Sequence, residues 1–141
     1  MNKLKRGLCL FAVGAAGYSL IEIAFRGHTH WTMALTGGCC AVALEKMHRR
    51  CRRQKKSAAG ICARGALIIT AAEFAVGLAV NRLLGWKVWD YSDRPLNILG
   101  QICPLFSGLW FLLNIPLIPF FRWVDQALPA DGKTILLPKR S

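Results

Sequence analysis

Acidic residues are scarce in this sequence, with seven Asp and Glu against nineteen Lys and Arg and a formal net charge of +12. A charge balance of this sign often marks a nucleic-acid-binding protein. Here, however, 54% of the residues are hydrophobic, and they are gathered into long stretches separated by short basic segments. Once those stretches are assigned, no polar fold is left to display a basic face, so we expect no nucleic acid among the partners.

The six cysteines include no C-x-x-C pair, so the sequence lacks the ligand spacing of a zinc site and of a dithiol redox centre. Five of them lie in apolar stretches, where cysteine serves as a small buried hydrophobe and disulfides are not expected. No pairing of a nucleophile with a base is recognisable either. We therefore expect neither an enzyme nor a bound metal or cofactor.

Long apolar stretches dominate the sequence, at about residues 8–25, 31–47, 61–80 and 96–121. The first, of about 18 residues, would form roughly 27 Å of helix, just enough to cross a bilayer. The second is marginal in length. This alternation predicts an all-α integral membrane four-helix bundle made of residues 1–125, surrounded by a lipid bilayer, with a cytoplasmic tail over 126–141.

Basic residues are distributed unevenly between the ends of these stretches. Fourteen Lys and Arg lie in the N-terminal segment, the loop after the second stretch and the C-terminal segment, against four in the two opposite loops. Since cytoplasmic loops carry the excess of positive charge, both termini and the central basic loop are predicted to be cytoplasmic, in the cell (plasma) membrane. Aromatic residues then gather at the outer interface.

Two glutamates, Glu22 and Glu73, lie inside predicted spans, each nearer the outer end. An ionised carboxylate is costly in hydrocarbon, so each must face protein or water, be paired, or be protonated. One interpretation is an ion, proton or substrate site inside the bundle. The other is a structural carboxylate that bonds or caps a neighbouring helix. The sequence leaves both interpretations open.

A polar stripe is predicted on the fourth helix, where Asn97 and Gln101 stand one turn apart. Amide side chains lose hydrogen bonds in lipid, so the stripe is expected to point into the bundle. There the two amides could line an intramembrane polar cavity together with Glu22 and Glu73. Hydrogen bonding between helices is the favoured alternative.

The segment between the third and fourth stretches is dense in aromatic and polar residues: Trp86, Trp89, Asp90, Tyr91 and Ser92. One interpretation is a rigid interfacial loop anchored by its aromatic rings, which the residues slightly favour. The other is a lid over a cavity in the bundle below.

The short link between the first two stretches holds His28, His30 and Trp31 on the same outer side. A His-x-His pair without further ligands is a weak metal signal, so we expect no metal there. A weak repeat also relates the first and third stretches, because Gly14 to Glu22 resembles Gly65 to Glu73 at a constant offset of about 51 residues. It would build the bundle from two tandem two-helix units, although so short a match also arises by chance.

Several segments together resemble a known family. They are Gly17-Tyr18-Ser19-Leu20-Ile21-Glu22 with Arg26-Gly27, His30-Trp31-Thr32-Met33-Ala34-Leu35-Thr36-Gly37-Gly38, Glu73, Gly85-Trp86-x-x-Trp89-Asp90-Tyr91-Ser92, and Pro95-x-Asn97-x-x-Gly100-Gln101-Ile102-Cys103. Over roughly residues 14–110 the chain resembles the putative ABC-transporter type IV family, also called CmpB-type ABC transporter permeases. One departure is Gln101, where many members carry arginine.

The resemblance implies transport, with this chain as a permease-like subunit. The sequence has no Gly-x-x-x-x-Gly-Lys-Ser/Thr phosphate loop, so the chain is not the ATPase, and a separate ATPase subunit is an implied partner. Four helices are few for half of a transport pore, so we also expect a homo-oligomer or other membrane subunits.

Two other functions stay open. A carboxylate in the first of four helices superficially resembles the small multidrug-resistance transporters, which would make the chain a proton-coupled small exporter acting as a dimer. A third hypothesis is a non-transporting structural or regulatory membrane protein that binds partner helices or lipids.

Overall fold

The computed structural model describes residues 2–129, and every long regular element in that range is a helix. Helix α1 spans Lys3–Arg26, α2 Trp31–Arg53, α3 Ala58–Gly77 and α4 Pro104–Ala127. Helix α3 continues without a break as a wider π-helical segment, Leu78–Leu83. The prediction of an all-helical protein is therefore confirmed for the described residues.

Polar side chains fix where the helices begin. The side-chain oxygens of Asn2 and Ser57 accept hydrogen bonds from the backbone N–H of Leu4 and Gly60, which satisfies donors that the first turn of a helix leaves free. Helix α1 ends at Gly27, whose φ of 75° is the left-handed conformation that a glycine adopts at little cost. Capping thus extends α1 and α3 a few residues beyond their apolar stretches.

The four helices run alternately up and down, and they pack as two hairpins. Helix α1 packs along α2 where Gly14 faces Gly37, and a Cβ on either glycine would collide with the opposite helix. Helix α3 packs along α4 where Gly65 meets the side chain of Asn114. Small residues therefore set the close approach within each hairpin, as in many membrane bundles. The two hairpins adjoin mainly through α2 and α3.

Three segments of the described chain are long and apolar enough to cross a membrane: Lys3–Arg26, Ala58–Leu83 and Pro104–Ala127. They support a membrane protein. Helix α2 is not among them, because its C-terminal half carries Glu45, Lys46 and four arginines. The fourth span, like the orientation in the membrane, therefore stays a prediction.

The predicted start of the fourth helix is wrong. Residues 96–103 belong to a long loop, and α4 begins only at Pro104, whose ring suits the first turn of a helix. Leu96, Leu99 and Gly100 adopt positive φ angles of 56°, 53° and 70°, which no right-handed helix contains. At the other end α4 reaches Ala127, beyond the predicted limit of 121. Most of the predicted tail, residues 130–141, lies outside the described residues.

A partly buried ion-pair network joins the helices at one end of the bundle, here called the basic end. Arg6 at the start of α1 donates to Glu45 of α2 at 2.6 Å and to Asp125 of α4 at 2.5 Å. Arg49 pairs with Glu45, and Arg52 pairs with Asp125. The described N-terminus, the central basic loop and the end of α4 consequently lie at this end. The loop 84–103 lies at the opposite end; the two are called the outer loop and the outer end after their predicted orientation.

Candidate functional site

The carboxylate of Glu73 is the most deeply buried acidic group of the described chain, with 2% of the residue exposed. The hydroxyl of Tyr18 donates a hydrogen bond to one carboxylate oxygen, and the indole N–H of Trp110 donates to the other at 3.1 Å. The two donors come from α1 and α4. Three helices therefore meet at a single carboxylate, which satisfies an acidic group that hydrocarbon alone could not hold.

Side chains alone connect α1 to the second hairpin. No Cα atom of α1 lies within 8 Å of a Cα atom of α3 or α4. Across this gap Tyr18 stacks on Trp110, with ring centroids 5.6 Å apart and planes inclined by 29°. The Glu73 hydrogen bonds, this stack and the ion pairs of Arg6 bridge the gap at two levels.

A second polar group lies at the outer end of the gap. Glu22 forms an ion pair with Arg26, one helical turn along α1, with a nitrogen-to-oxygen distance of 3.6 Å. Arg26 also donates a 2.7 Å hydrogen bond to the hydroxyl of Tyr91 in the outer loop, and its guanidinium lies 5.3 Å from the centre of that ring. Tyr91 is held in place by stacking on Phe106 of α4 at 4.6 Å. Arg26 thus ties α1 to the outer loop.

A cleft of about 340 Å³ opens between α1 and α4 beside these groups. Its polar lining comes from Glu22, Arg26, Tyr91 and Trp110, and the rest is aliphatic and phenylalanine side chains. A second, apolar cavity of about 210 Å³ adjoins it toward the basic end, and Ile21 and Leu113 line both. We call the two together the α1–α4 groove.

The four residues predicted to share a polar cavity are divided by the structure. Glu22 lines the groove, and Glu73 lies behind Tyr18 and Trp110. The placement of Asn97 and Gln101 on a membrane helix is wrong, because both lie in the outer loop. The structure thus brings Glu22 close to the Glu73 cluster through Tyr18, one turn away on α1, and it does not bring the two amides there.

The two amides stabilise the outer loop. Gln101 accepts from Asn81 at 2.7 Å and donates to the carbonyl of Leu99 at 2.8 Å. Asn97 donates to the carbonyls of Ser92 and Arg94 and accepts from the N–H of Gly100. These bonds satisfy backbone groups that a loop of irregular shape would otherwise leave unpaired.

Most residues of the outer-loop motif also hold the loop together. Trp89 is buried, and its indole N–H donates to the carbonyl of Gln101 at 3.0 Å. Asp90 accepts hydrogen bonds from the backbone N–H and the hydroxyl of Ser92, and these bonds lower the pKa of its exposed carboxyl. Tyr91 alone of the five faces the groove. Burial raises the pKa of its hydroxyl, so Tyr91 stays protonated at neutral pH.

The outer link has a capping and packing arrangement. The ring of His30 accepts from the backbone N–H of Thr32 at 3.3 Å at the start of α2, and the ring of His28 contacts the carbonyl of Arg26. His30, Trp31 and Trp86 form a cluster of rings with centroids 5.6–6.0 Å apart. Within residues 2–129 no group of three His, Cys, Asp or Glu side chains is placed to hold a metal ion.

Several connecting residues were not predicted as members of a site. Trp110 and Asn114 lie one turn apart on α4, and Asn114, which is fully buried, bonds His48 of α2 at 2.9 Å. Asp125 is the carboxylate that Arg6 and Arg52 share. A pattern was available for Asp125, since, like Glu45, it is an acidic residue near the end of an apolar stretch on the predicted side of the basic loop. Nothing in the sequence singles out Trp110 as the partner of Glu73.

Comparison with known proteins adds a family to this geometry. The chain matches no solved structure significantly. The family model described as "Putative ABC-transporter type IV" matches residues 36–129, which include α3, α4, the outer loop and most of α2. The match takes in Glu73, Tyr91 and Trp110 and covers well over half of the 141 residues. The chain therefore belongs to the CmpB-type ABC-transporter family.

Proposed function

We propose that this chain is a permease-like subunit of a transport system in the cell membrane, and that the α1–α4 groove is the part of it that meets substrate. Membership of the family and the three long apolar helices support a transport-related membrane protein. We propose further that the chain is multi-pass and is not itself an enzyme, so a separate ATPase subunit would supply the energy.

The observation that carries the proposal is the pair of donors on Glu73. A membrane bundle held only for stability would bury apolar or small residues at this depth, because an acidic group there is expensive. Here the acidic group joins α1 to the second hairpin through Tyr18, across a gap that no backbone packing closes. Breaking this hydrogen bond would leave the Tyr18–Trp110 stack and the Arg26–Tyr91 bond as the remaining side-chain contacts across the outer part of the gap.

Such a contact can separate two arrangements of the bundle. Arg6, Glu45 and Asp125 hold α1 to the other helices at the basic end. Toward the outer end, among the described residues, Tyr18 and Arg26 are the α1 side chains whose hydrogen bonds reach across. We propose that α1 pivots about the basic end. Substrate binding or ATPase action would then form or break the hydrogen bond between Tyr18 and Glu73.

The orientation follows from charge. We propose that the basic end lies in the cytoplasm, because it gathers the central loop, the start of α1 and the end of α4, which carry the excess of Lys and Arg. The groove then opens toward the outer leaflet. The exposed basic segment after α2 is available to an ATPase subunit on the cytoplasmic side.

Co-purification tests the proposal. The tagged chain is extracted gently from its native membrane, and its partners are identified by mass spectrometry. We expect an ABC-type ATPase in a fixed ratio, with ATP hydrolysis in reconstituted vesicles that depends on the chain. Glu73→Gln should retain assembly and lose this dependence, whereas Asp93→Asn, in the exposed outer loop, should lose neither. Recovery of the intact chain without any ATPase contradicts the permease role.

A proton-coupled exporter acting as a dimer is the second candidate, and it is favoured by the position of Tyr18, which bonds Glu73 and lies one turn from Glu22 on α1. The test uses vesicles that contain this chain alone. Proton uptake driven by a pH gradient, and lost in Glu73→Gln, would support the exporter. If Glu73→Gln instead only unfolds the chain, the third candidate, a structural or regulatory protein, gains.

A further inference from the structure

The α1–α4 groove is polar at one end only. At the outer end it is bordered by Glu22, Arg26 and Tyr91, and from Ile21 to Leu10 its walls are apolar. Along α1 the distance from Arg26 to Leu10 is sixteen residues, or roughly 24 Å of helix. A groove with a charged end and a long apolar body has the polarity of an amphiphile.

The charges at the outer end favour an anion. Arg26 lines the groove, and Arg94, which does not line it, has its guanidinium 5.9 Å from the centre of the ring of Phe106, a lining residue. Glu22 is the single carboxylate that lines the groove, and it is already paired with Arg26. Within the lining one guanidinium faces one carboxylate, so the guanidinium of Arg94 beside Phe106 supplies the positive excess, which suits a phosphate or carboxylate headgroup.

The width of the groove separates its occupants. A helix with its side chains is about 10–12 Å across, and an apolar cavity of about 210 Å³ is too small to enclose one. A second copy placed face to face about an axis along the membrane normal would bring its Arg26 against the first Arg26, which like-charge repulsion opposes. A flexible hydrocarbon chain meets neither obstacle.

We propose that the α1–α4 groove binds an anionic phospholipid, with the headgroup at Arg26 and an acyl chain along α1 and α4 toward Leu10 and Phe121. This inference rests on the proposed function for its meaning, since it names the substrate class of the same groove. Lipid binding itself is measured without transport, so it can fail or succeed independently.

Two glycines offer a matched pair of variants. Gly17 lines the groove, and a Cβ added there meets nothing within 4 Å, so leucine would fill the groove without displacing the helices. Gly108 on α4 is equally open to a Cβ but does not line the groove. Arg26→Gln removes the cation that faces the headgroup, and Arg82→Gln removes an exposed cation at the same end of the bundle.

The experiment uses the full chain in phosphatidylcholine vesicles that contain phosphatidylglycerol with a photoactivatable group on one acyl chain. After irradiation, mass spectrometry locates the label. We expect label on residues of α1 and α4 that line the groove. Labelling should fall sharply in Gly17→Leu and should be unchanged in Gly108→Leu. Arg26→Gln should weaken the preference for phosphatidylglycerol over a matched phosphatidylcholine probe by about tenfold, and Arg82→Gln should not.

Other results overturn the inference. Equal labelling by the two probes, unchanged in Gly17→Leu, would mean that the groove meets bulk lipid without selection. Cross-links between α1 segments of two chains would mean that a second copy fills the groove. A thermal melt of each variant, together with the Arg26 arm, keeps the test valid if Gly17→Leu fails to fold. Retained lipid labelling with no ATPase partner would contradict only the permease role.

Discussion

Glu73 owes its place in the bundle to two donors whose positions come from different helices. Tyr18 and Trp110 stack on each other as they bond the carboxylate, so each orients the other. Glu73 lies on a face of α3 that also carries Gly77 and Thr70. The hydroxyl of Thr70 forms a 2.8 Å hydrogen bond with the hydroxyl of Ser107 of α4. Polar contacts on this face therefore join α3 to α1 and α4 in a low-dielectric interior, where hydrogen bonds are strong.

The first prediction concerns the two tyrosines. Tyr18→Phe keeps the ring and removes only the hydroxyl, which leaves one oxygen of a buried carboxylate without a donor. We expect a loss of about 1–3 kcal/mol in the free energy of unfolding, measured by titration with dodecyl sulfate in mixed micelles. Tyr91→Phe is the matched control, and its loss should be smaller because Arg26 keeps Glu22 as a partner. Equal losses in the two variants would contradict a special role for the Glu73 contact.

At the scale of single residues, the sequence carries no information on which helices are neighbours. It identified Glu22 and Glu73 because a charge in an apolar stretch is conspicuous on its own. It did not find Trp110, because a tryptophan in an apolar helix is ordinary until its N–H is seen to face a carboxylate. Asn97 and Gln101 were misplaced because amides four residues apart suit a helix and a hydrogen-bonded loop alike.

At the scale of elements, the outer loop contains no helix but is held by many side-chain and backbone hydrogen bonds. Buried Trp89 packs on Gly77, whose missing side chain leaves room for the indole and for Gln101. Asn81, on the π-helical end of α3, accepts from the backbone N–H of Val88 at 2.7 Å. Apolar composition made residues 96–103 resemble helix, but their backbone groups bond within the loop, as where Ile98 N–H donates to the carbonyl of Ile102 and Gln101 N–H to that of Ile98, so α4 starts later. The stretches at 8–25 and 61–80, by contrast, fall within observed helices.

The second prediction concerns the turn at Asp90. Its pKa is lowered in the folded loop by the two hydrogen bonds from Ser92, so the turn is stabilised at neutral pH. This stabilisation is lost as the pH falls through the lowered pKa, below the ordinary value of 3.8. Ser92→Ala should return the pKa of Asp90 toward that value, as measured by NMR titration of the carboxyl carbon, and Ser107→Ala should leave it unchanged. If the pKa of Asp90 in Ser92→Ala stays as low as in the unmodified chain, the hydrogen-bonding account is contradicted.

At the scale of the whole molecule, charge is segregated along the bundle axis. At the basic end, buried Arg6 pairs with buried Glu45 and with half-buried Asp125, while the outer end combines aromatic rings with few cations. The alternation of apolar and basic segments was enough to predict this polarity and the helical class. It was not enough to predict that α1 lies apart from α3 and α4, since a hydropathy pattern carries no information on helix neighbours.

The third prediction tests orientation in intact cells. Single cysteines are placed at Lys55 and Lys87 in a background whose six cysteines are replaced by alanine or serine. Since the basic end is proposed to be cytoplasmic, a membrane-impermeant maleimide should label Lys87→Cys directly and Lys55→Cys only after permeabilisation. The reverse pattern would mean that the bundle has the opposite orientation in the membrane and that the groove opens to the cytoplasm.

The contact between Tyr18 and Glu73 is the centre of the account, and a distance across the groove tests it most directly. Spin labels at Phe25 and Leu112, which line the outer part, report the α1–α4 separation by pulsed electron resonance in bilayers. Labels at Leu4 and Gln126 report the basic end. Tyr18→Phe should lengthen the first distance and leave the second unchanged, because Arg6 still holds α1 there. If both distances stay as they are, or both broaden together, Tyr18 does not control the opening of the groove.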